Sequence, residues 1–156
     1  MKNQAEHRPL FPLALLSLTF LIVGINGFIG GYLMLSDPSG APMGMPVSDL
    51  ARTPFQNFTI PGIFLIMLWG FGSMIALIAL WFRPQIAIFN RLMVRWTHEH
   101  WAWAFSVLMG IALLIWLTVQ IFTLPALAPI QIILYILAFL MVGLPFIPQM
   151  RDYYHL

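Results

Sequence analysis

The chain has 156 residues, of which 61% are hydrophobic and only 8% are charged, and its formal net charge is +2. A water-soluble domain carries about 25% charged residues, so a chain of this length and composition must expose most of its apolar surface to lipid. The absence of cysteine excludes disulfides, thiolate catalysis and cysteine-based zinc sites, and the few basic residues do not form the stripe typical of nucleic-acid-binding proteins.

Four apolar runs approach or exceed the roughly 20 residues that a spanning helix needs. The predicted spans are Leu10–Leu35, Pro61–Phe82, Trp101–Phe122 and Pro129–Ile147. The first run is far longer than the apolar region of a signal peptide, and no A-x-A-like cleavage site closes it, so we interpret it as an uncleaved span. The sequence therefore predicts one all-α domain, residues 1–156, folded as a four-helix bundle integral to a membrane.

The basic residues predict the orientation of this bundle. Six of the seven Lys and Arg residues lie near the termini or in residues 83–100, between the second and third spans, and only Arg52 lies in residues 36–60. Loops rich in Lys and Arg stay in the cytoplasm. Both termini and residues 83–100 are therefore expected to be cytoplasmic, and residues 36–60 are expected to form an outer loop.

The first span carries small residues on one helix face. Gly24, Gly27 and Gly31 follow helical spacing, and the polar Asn26 lies among them. Small residues allow two helix backbones to approach closely in lipid. Two interpretations stay open: the face packs against another helix of the same bundle, or it forms a seam with a second copy or with a larger membrane complex.

The outer loop, residues 36–60, is predicted to be structured. Asp37-Pro38-Ser39-Gly40 has the residue preferences of a β-turn, and a short helix over Asp49 to Arg52 would place those two side chains at a pairing distance. The apolar Phe55, Phe58 and Ile60 are expected to pack on the bundle, because burying one Phe contributes about 1.5–3 kcal/mol. We interpret the loop as a lid, and its candidate ligand-contacting residues are Asp37, Asp49, Arg52, Phe55, Asn57 and Phe58.

The motifs of this loop also carry a resemblance. DPSG, MGMP and TPFxNFxIPG resemble a loop found in small bacterial four-span membrane proteins. The resemblance covers mainly residues 27–70, with a looser match over the later spans. It implies a bacterial inner-membrane location, and it implies no activity, because no function is attached to those proteins.

The cytoplasmic loop, residues 83–100, is predicted to hold a short amphipathic helix that lies on the membrane surface. His98-Glu99-His100 follows it. His98 and His100 are weak candidates for metal binding, since no established ligand spacing accompanies them, and the simpler interpretation is a pair of solvated residues at the headgroup level. Three tryptophans are expected to form an interfacial aromatic belt: Trp96, Trp101 and Trp103.

The third and fourth spans carry the polar residues of the predicted bundle. A stripe of small and apolar residues on the third span ends at Gln120, and Gln131 should lie at a similar depth on the fourth span, with Tyr135 one turn away. Two interpretations stay open: these side chains form structural hydrogen bonds between the helices, or they form the polar floor of an outward-facing cavity.

The spans contain no Asp, Glu, Lys, Arg or His, which argues against an ion-coupled transporter, and the absence of histidine argues against haem between the helices. No cofactor is predicted. The leading hypothesis is non-catalytic binding of a lipid or quinone-like molecule under the outer lid, with membrane lipids as partners. One alternative is an accessory or scaffolding subunit of a larger membrane complex. The other is an enzyme that uses loop residues or the His98–His100 segment.

Overall fold

The computed structural model describes residues 8–124 and 129–156, without the side chains of residues 93–96. Four helices are long and apolar enough to cross a membrane, which confirms the predicted all-α four-helix bundle. The helices, in chain order, are α1 (Leu10–Ser36), α2 (Thr59–Phe82), α3 (Ala87–Thr97), α4 (Trp101–Thr123), α5 (Pro129–Phe146) and α6 (Pro148–Tyr154). The predictions that involve Lys2 and the connection at Pro125 lie outside the described residues.

The bundle has two different ends. The loop end carries residues 37–58, and the terminal end carries residues 83–100 and 147–156 together with the start of α1. Helices α1 and α4 run towards the loop end, and α2 and α5 run back. The half of the bundle next to the loop end is called the loop half, and the half next to the terminal end is called the terminal half.

The glycine face of α1 packs against α2. A Cβ atom added at Gly27 would lie 2.7 Å from the backbone nitrogen of Gly70 and 2.9 Å from the carbonyl oxygen of Leu65. One added at Gly31 would lie 2.7 Å from the carbonyl oxygen of Gly62. The structure therefore agrees with the first interpretation, in which the glycine face packs against another helix of the same bundle. A seam with another copy through Gly24, Gly27 and Gly31 would require α2 to leave.

Helix α2 changes its hydrogen-bonding pattern halfway along. It begins as an α-helix over Thr59–Phe64, continues as a π-helix over Leu65–Phe71, and returns to an α-helix over Gly72–Phe82. π-Helices are rare in proteins, and those that occur often lie at functional sites. The sequence analysis did not predict this stretch, which lies opposite the glycine face of α1.

The terminal half has a filled core of large side chains. Its fully buried residues include Leu13, Leu16, Phe20, Leu80, Met141, Met150 and Tyr154. The indole N–H of Trp101 donates to the Pro84 carbonyl and that of Trp103 to the Pro145 carbonyl, each at 2.7 Å. These two tryptophans are therefore buried within the fold, and their position at the membrane interface stays a prediction. The side chain of Trp96 lies outside the described residues.

At the terminal end, helix α3 exposes Ile88, Phe89 and Leu92, as expected for an amphipathic helix at a membrane surface.

The terminal end is closed by its own chain segments. The backbone N–H of His100 donates to the Tyr154 carbonyl at 2.7 Å, and Glu99 and His155 form an isolated antiparallel bridge. The segment after α5 is thereby attached to the segment before α4.

Candidate functional site

The loop between α1 and α2 folds as a structured lid. The predicted turn is present, because the N–H of Gly40 donates to the Asp37 carbonyl at 3.1 Å. Gly40 has a φ of 79°, and a Cβ there would fall 1.9 Å from the Met45 carbonyl oxygen, so only glycine fits this position. The N–H of Phe58 donates to the Pro38 carbonyl at 3.0 Å. This bond joins the end of the loop to its beginning.

An apolar cluster attaches the lid to the bundle. Phe58 is only 1% exposed and packs with Met34 of α1 and Leu50 of the loop, and the half-buried Phe55 packs against the same cluster. Ile60 was expected to be buried as well, but it is 50% exposed. Helix α2 already begins at Thr59 and turns Pro61 and Gly62, rather than Ile60, towards the bundle.

Beneath the lid, the loop half of the bundle contains a half-open cavity of about 360 Å³. All four spanning helices contribute to its wall, and Met43, Gly44 and Met45 of the lid cover it. Most of the wall is apolar, and its larger side chains are Val23, Met34, Leu65, Trp69, Leu113, Trp116 and Leu134. The shape is thus a mainly apolar chamber within the bundle, with its cover at the loop end.

The polar groups of the cavity are few. The side-chain amide of Gln131 donates to Oε1 of Gln120 at 3.1 Å, so the two glutamines face each other across α4 and α5 as their predicted depths require. The amide of Asn26, on α1, also lines the cavity and has no hydrogen-bond partner among the described residues. Asp49 lies at the lid side of the cavity and is half-buried. It is the one ionisable group among the described lining residues.

Trp69 adds a third hydrogen-bond donor to the wall. It lies in the π-helical stretch of α2, is 2% exposed and borders the cavity. Its indole N–H is buried and has no acceptor in the part of the chain that the structure describes. A buried donor without a partner costs about 1–3 kcal/mol. Oγ of Ser73 and Nε2 of His100, which do not line the cavity, are likewise buried without a partner in the described part of the chain.

Not all predicted site residues meet in the cavity. Asn26, Gln120, Gln131 and Asp49 line it. Tyr135 does not, because its hydroxyl lies 3.2 Å from the hydroxyl of Thr118 on the outside of the α4–α5 pair.

The remaining lid candidates serve the loop itself. Arg52 and Asn57 are exposed, and Phe55 and Phe58 anchor the lid. Oδ1 of Asp37 accepts from the Ser39 backbone N–H at 3.0 Å. Hydrogen bonds from the side chain and the backbone of Ser39 lower the pKa of this carboxyl group, which therefore stabilises the turn rather than a ligand.

The weak metal candidates do not form a site. His100 is fully buried, and its Nδ1 accepts from the Ala102 N–H at 3.2 Å as the N-cap of α4, whereas the side chain of His98 is exposed. Burial, followed by the positive charge of Arg83, lowers the pKa of His100. Within residues 8–124 and 129–156, no three ligating side chains of His, Cys, Asp or Glu converge on one point.

Glu99, between these histidines, belongs to a separate polar hollow of about 300 Å³ at the terminal end. One oxygen of its buried carboxylate lies 3.5 Å from Nε of Arg151, and the other lies 3.9 Å from Nδ1 of His155. The first contact joins α6 to the segment before α4, whereas Oε2 of Glu99 is buried without a hydrogen-bond partner among the described residues.

Sequence reasoning missed several residues of the cavity. Met43, Met45, Leu65, Trp69, Trp116 and Gly30 line it, but none was assigned to a site. Gly30 carried a usable signal, because it stands apart from the face formed by Gly24, Gly27 and Gly31. A Cβ at Gly30 would meet only Leu65 Cδ1, at 3.5 Å, so this glycine leaves space open instead of allowing a close contact.

Comparison with protein-family models, with curated proteins and with solved structures finds no match to this chain.

Proposed function

We propose that this protein binds a hydrophobic small molecule, such as a lipid or a quinone-like compound, in the cavity beneath the lid, without catalysing a reaction. The observation that carries the proposal is the covered chamber of about 360 Å³ inside the loop half. Ligand pockets measure about 300–1,000 Å³ and are mostly apolar with a few placed polar groups. A volume at the lower end of this range suits one ring system or one acyl chain rather than a whole two-chain phospholipid.

The lid supports binding, because Phe58 and the turn at Gly40 hold Met43 to Met45 over the cavity. A loop of this construction would be unnecessary above a filled core.

The chemistry of the wall favours binding over catalysis. General acid–base catalysis needs titratable groups placed at the reacting atoms, and Asp49 is the one such group among the described lining residues. The alternative enzyme residues Asp37, Arg52, His98 and His100 lie away from the chamber. The accessory-subunit alternative depends on an open small-residue face, and the glycine face of α1 is covered by α2.

The proposal includes a location. The resemblance of the loop motifs supports the bacterial inner membrane, and the distribution of Lys and Arg supports a loop end that faces outwards with both termini in the cytoplasm. A ligand would then enter the chamber from the outer leaflet or from the outer aqueous side.

Gly30→Leu tests the proposal directly. A side chain at this position enters the open volume, because only Leu65 Cδ1 lies within 4 Å of the added Cβ. Native mass spectrometry of the full-length protein in mild detergent should show a co-purified apolar ligand on the wild type and its loss from Gly30→Leu. Gly143→Leu is the matched control, since Gly143 also has open space around it and lies outside the cavity.

The control variant should keep the ligand. Equal retention by the wild type and Gly30→Leu would contradict the proposal, and so would a wild type that carries no ligand and takes up none on incubation with lipid or quinone. Co-purification of a stoichiometric protein subunit in place of a small molecule would favour the accessory-subunit alternative.

A further inference from the structure

The charges around the cavity restrict what its ligand can be. No cationic side chain is among its described lining residues, and the one ionisable group there is the carboxyl group of Asp49. An anionic head group placed in the chamber would lose its hydration without gaining a counter-charge. Fatty acids and phospholipid head groups are therefore poor ligands for this site.

The uncharged polar groups of the wall offer hydrogen-bond donors as well as acceptors, and the side-chain oxygen of Asn26 is one of the acceptors. The glutamine pair uses Oε1 of Gln120 as an acceptor, which leaves the amide N–H groups of Gln120 without a partner among the described residues. Asn26 contributes a second amide whose N–H groups are likewise unpaired within the described ranges. A ligand oxygen that accepts hydrogen bonds would satisfy these donors.

Trp69 agrees with the same chemistry. Its indole nitrogen can only donate, and it is buried without an acceptor in the described part of the chain. The nitrogen itself is covered by neighbouring atoms, so the amides of Asn26 and Gln120 are the donors that line the cavity directly.

We propose that the ligand is an uncharged amphiphile that presents a carbonyl oxygen to the amides of Asn26 and Gln120, as a quinone does, with its apolar part against Val23, Leu113 and Leu134. This inference rests on the proposed function and narrows the class of ligand for the same cavity. Hydrogen bonds between the carbonyl and the two amides fix the orientation of the ring, and the apolar wall supplies the contact area.

Three probes of similar size separate the possible head groups. They are a benzoquinone with one isoprenoid unit, a methylbenzene that carries the same isoprenoid unit, and decanoate. Binding is measured by calorimetry on the full-length protein in nanodiscs, with empty nanodiscs as the partitioning blank. We expect the quinone to bind most tightly, the hydrocarbon less tightly, and decanoate not measurably.

Two kinds of variant separate the polar contribution from the space. Asn26→Leu and Gln120→Met remove an amide and keep a side chain of similar size, whereas Gly30→Leu keeps both amides and fills the chamber. Each amide variant should weaken quinone binding about three- to tenfold and leave hydrocarbon binding unchanged, while Gly30→Leu should weaken both probes. Circular dichroism tests whether each variant is folded. If one amide variant does not fold, the other amide variant alone tests the contribution of the amides.

The two proposals fail in different ways. If decanoate or the hydrocarbon binds as tightly as the quinone, or if both folded amide variants bind the quinone like the wild type, the carbonyl inference is overturned. The proposed function then still stands, provided that Gly30→Leu weakens binding. If Gly30→Leu changes the binding of no probe, the cavity is not the binding site and both proposals fail.

Discussion

The two halves of the bundle are built from the same four helices, yet one has a filled core and the other contains a cavity. In the terminal half, large side chains meet. Nε2 of His100 is buried there without a hydrogen-bond partner among the described residues, but other N–H and O–H groups find carbonyl or hydroxyl partners. Examples are the hydroxyl of Tyr154 on the Leu80 carbonyl and the indole of Trp81 on the Ser17 hydroxyl at 2.8 Å. In the loop half, Gly30 leaves space and Trp69 lacks an acceptor among the described residues.

This difference separates stability from binding. Helix association in lipid depends on packing, since lipid tails are as apolar as the side chains that they would replace. The terminal half supplies dense packing, so the loop half can keep a chamber and unpaired donors without the bundle coming apart. Substitutions in the two halves should therefore have different consequences.

The largest effect is expected from removing a core side chain of the terminal half. Leu16 is fully buried, and Leu16→Ala would leave a new void, so we expect a loss of about 2–4 kcal/mol in the free energy of unfolding. Leu134→Ala is the matched change in the cavity wall. Leu134 already borders empty volume and gives up fewer contacts, so its loss should stay below about 1.5 kcal/mol.

Equilibrium unfolding of both variants in one detergent measures this contrast. Equal losses at the two positions would mean that the loop half is packed as tightly as the terminal half under these conditions. The comparison between the halves would then be wrong.

A smaller effect, confined to the loop end, is expected from Phe58→Ala. The ring of Phe58 is buried between Met34 and Leu50, and losing that burial should cost about 1.5–3 kcal/mol of lid attachment. Limited proteolysis should then cut the lid faster while the spans stay intact. Phe55→Ala is the control, because Phe55 is only half-buried, and it should accelerate cleavage less. Identical cleavage rates for both variants and the wild type would show that the lid does not depend on this anchor.

The smallest effect is a dependence of the terminal end on pH. Burial and the charge of Arg83 lower the pKa of His100, so the unfolded chain takes up a proton at a higher pH than the folded chain does. The stabilisation by neutral His100 is complete above about pH 6.5, the ordinary histidine pKa, and is lost as the pH falls below that value. Protonation also removes the Nδ1 acceptor that caps α4.

His100→Asn should flatten this profile, because asparagine caps a helix without titrating in this range. His98, His155 and Glu99 are common to both proteins, so the difference between the two melting-temperature profiles reports His100. Parallel profiles for the wild type and the variant would assign the acid sensitivity to the other groups.

Much of the fold could be predicted from the sequence, because the length of an apolar run decides whether a helix spans the membrane. The turn at Asp37 to Gly40 and the facing of Gln120 and Gln131 also followed from local residue preferences and depth. The glycine face of α1 was also predicted from helical spacing. The facing of most other apolar residues was not, because apolar side chains point both into the bundle and into lipid, and the usual amphipathic pattern is then absent. For this reason, the burial of Trp101 and Trp103 was not predicted.

The cavity was anticipated as one of two interpretations of the polar residues, but its wall was not. A cavity is a region where atoms are missing, and local sequence preferences report only the atoms that are present. The attachment of the C-terminal segment to residues 98–100 was also missed. It rests on backbone hydrogen bonds such as that from Leu156 to His98, at 3.1 Å, which leave no pattern in the side chains.

The π-helical stretch of α2 affects how this span tolerates the deletion of a residue. Each residue of an α-helix turns the chain by about 100° and advances it by about 1.5 Å, so deleting one residue from a regular span rotates everything beyond the deletion. A π-helical turn already contains one residue more than an α-helical turn needs. A deletion within Leu65–Phe71, for instance of the exposed Met67, can therefore be absorbed by closing the helix to regular α geometry. Both flanks would keep their register against α1, and only the wall of the chamber beside Leu65 and Trp69 would be reshaped.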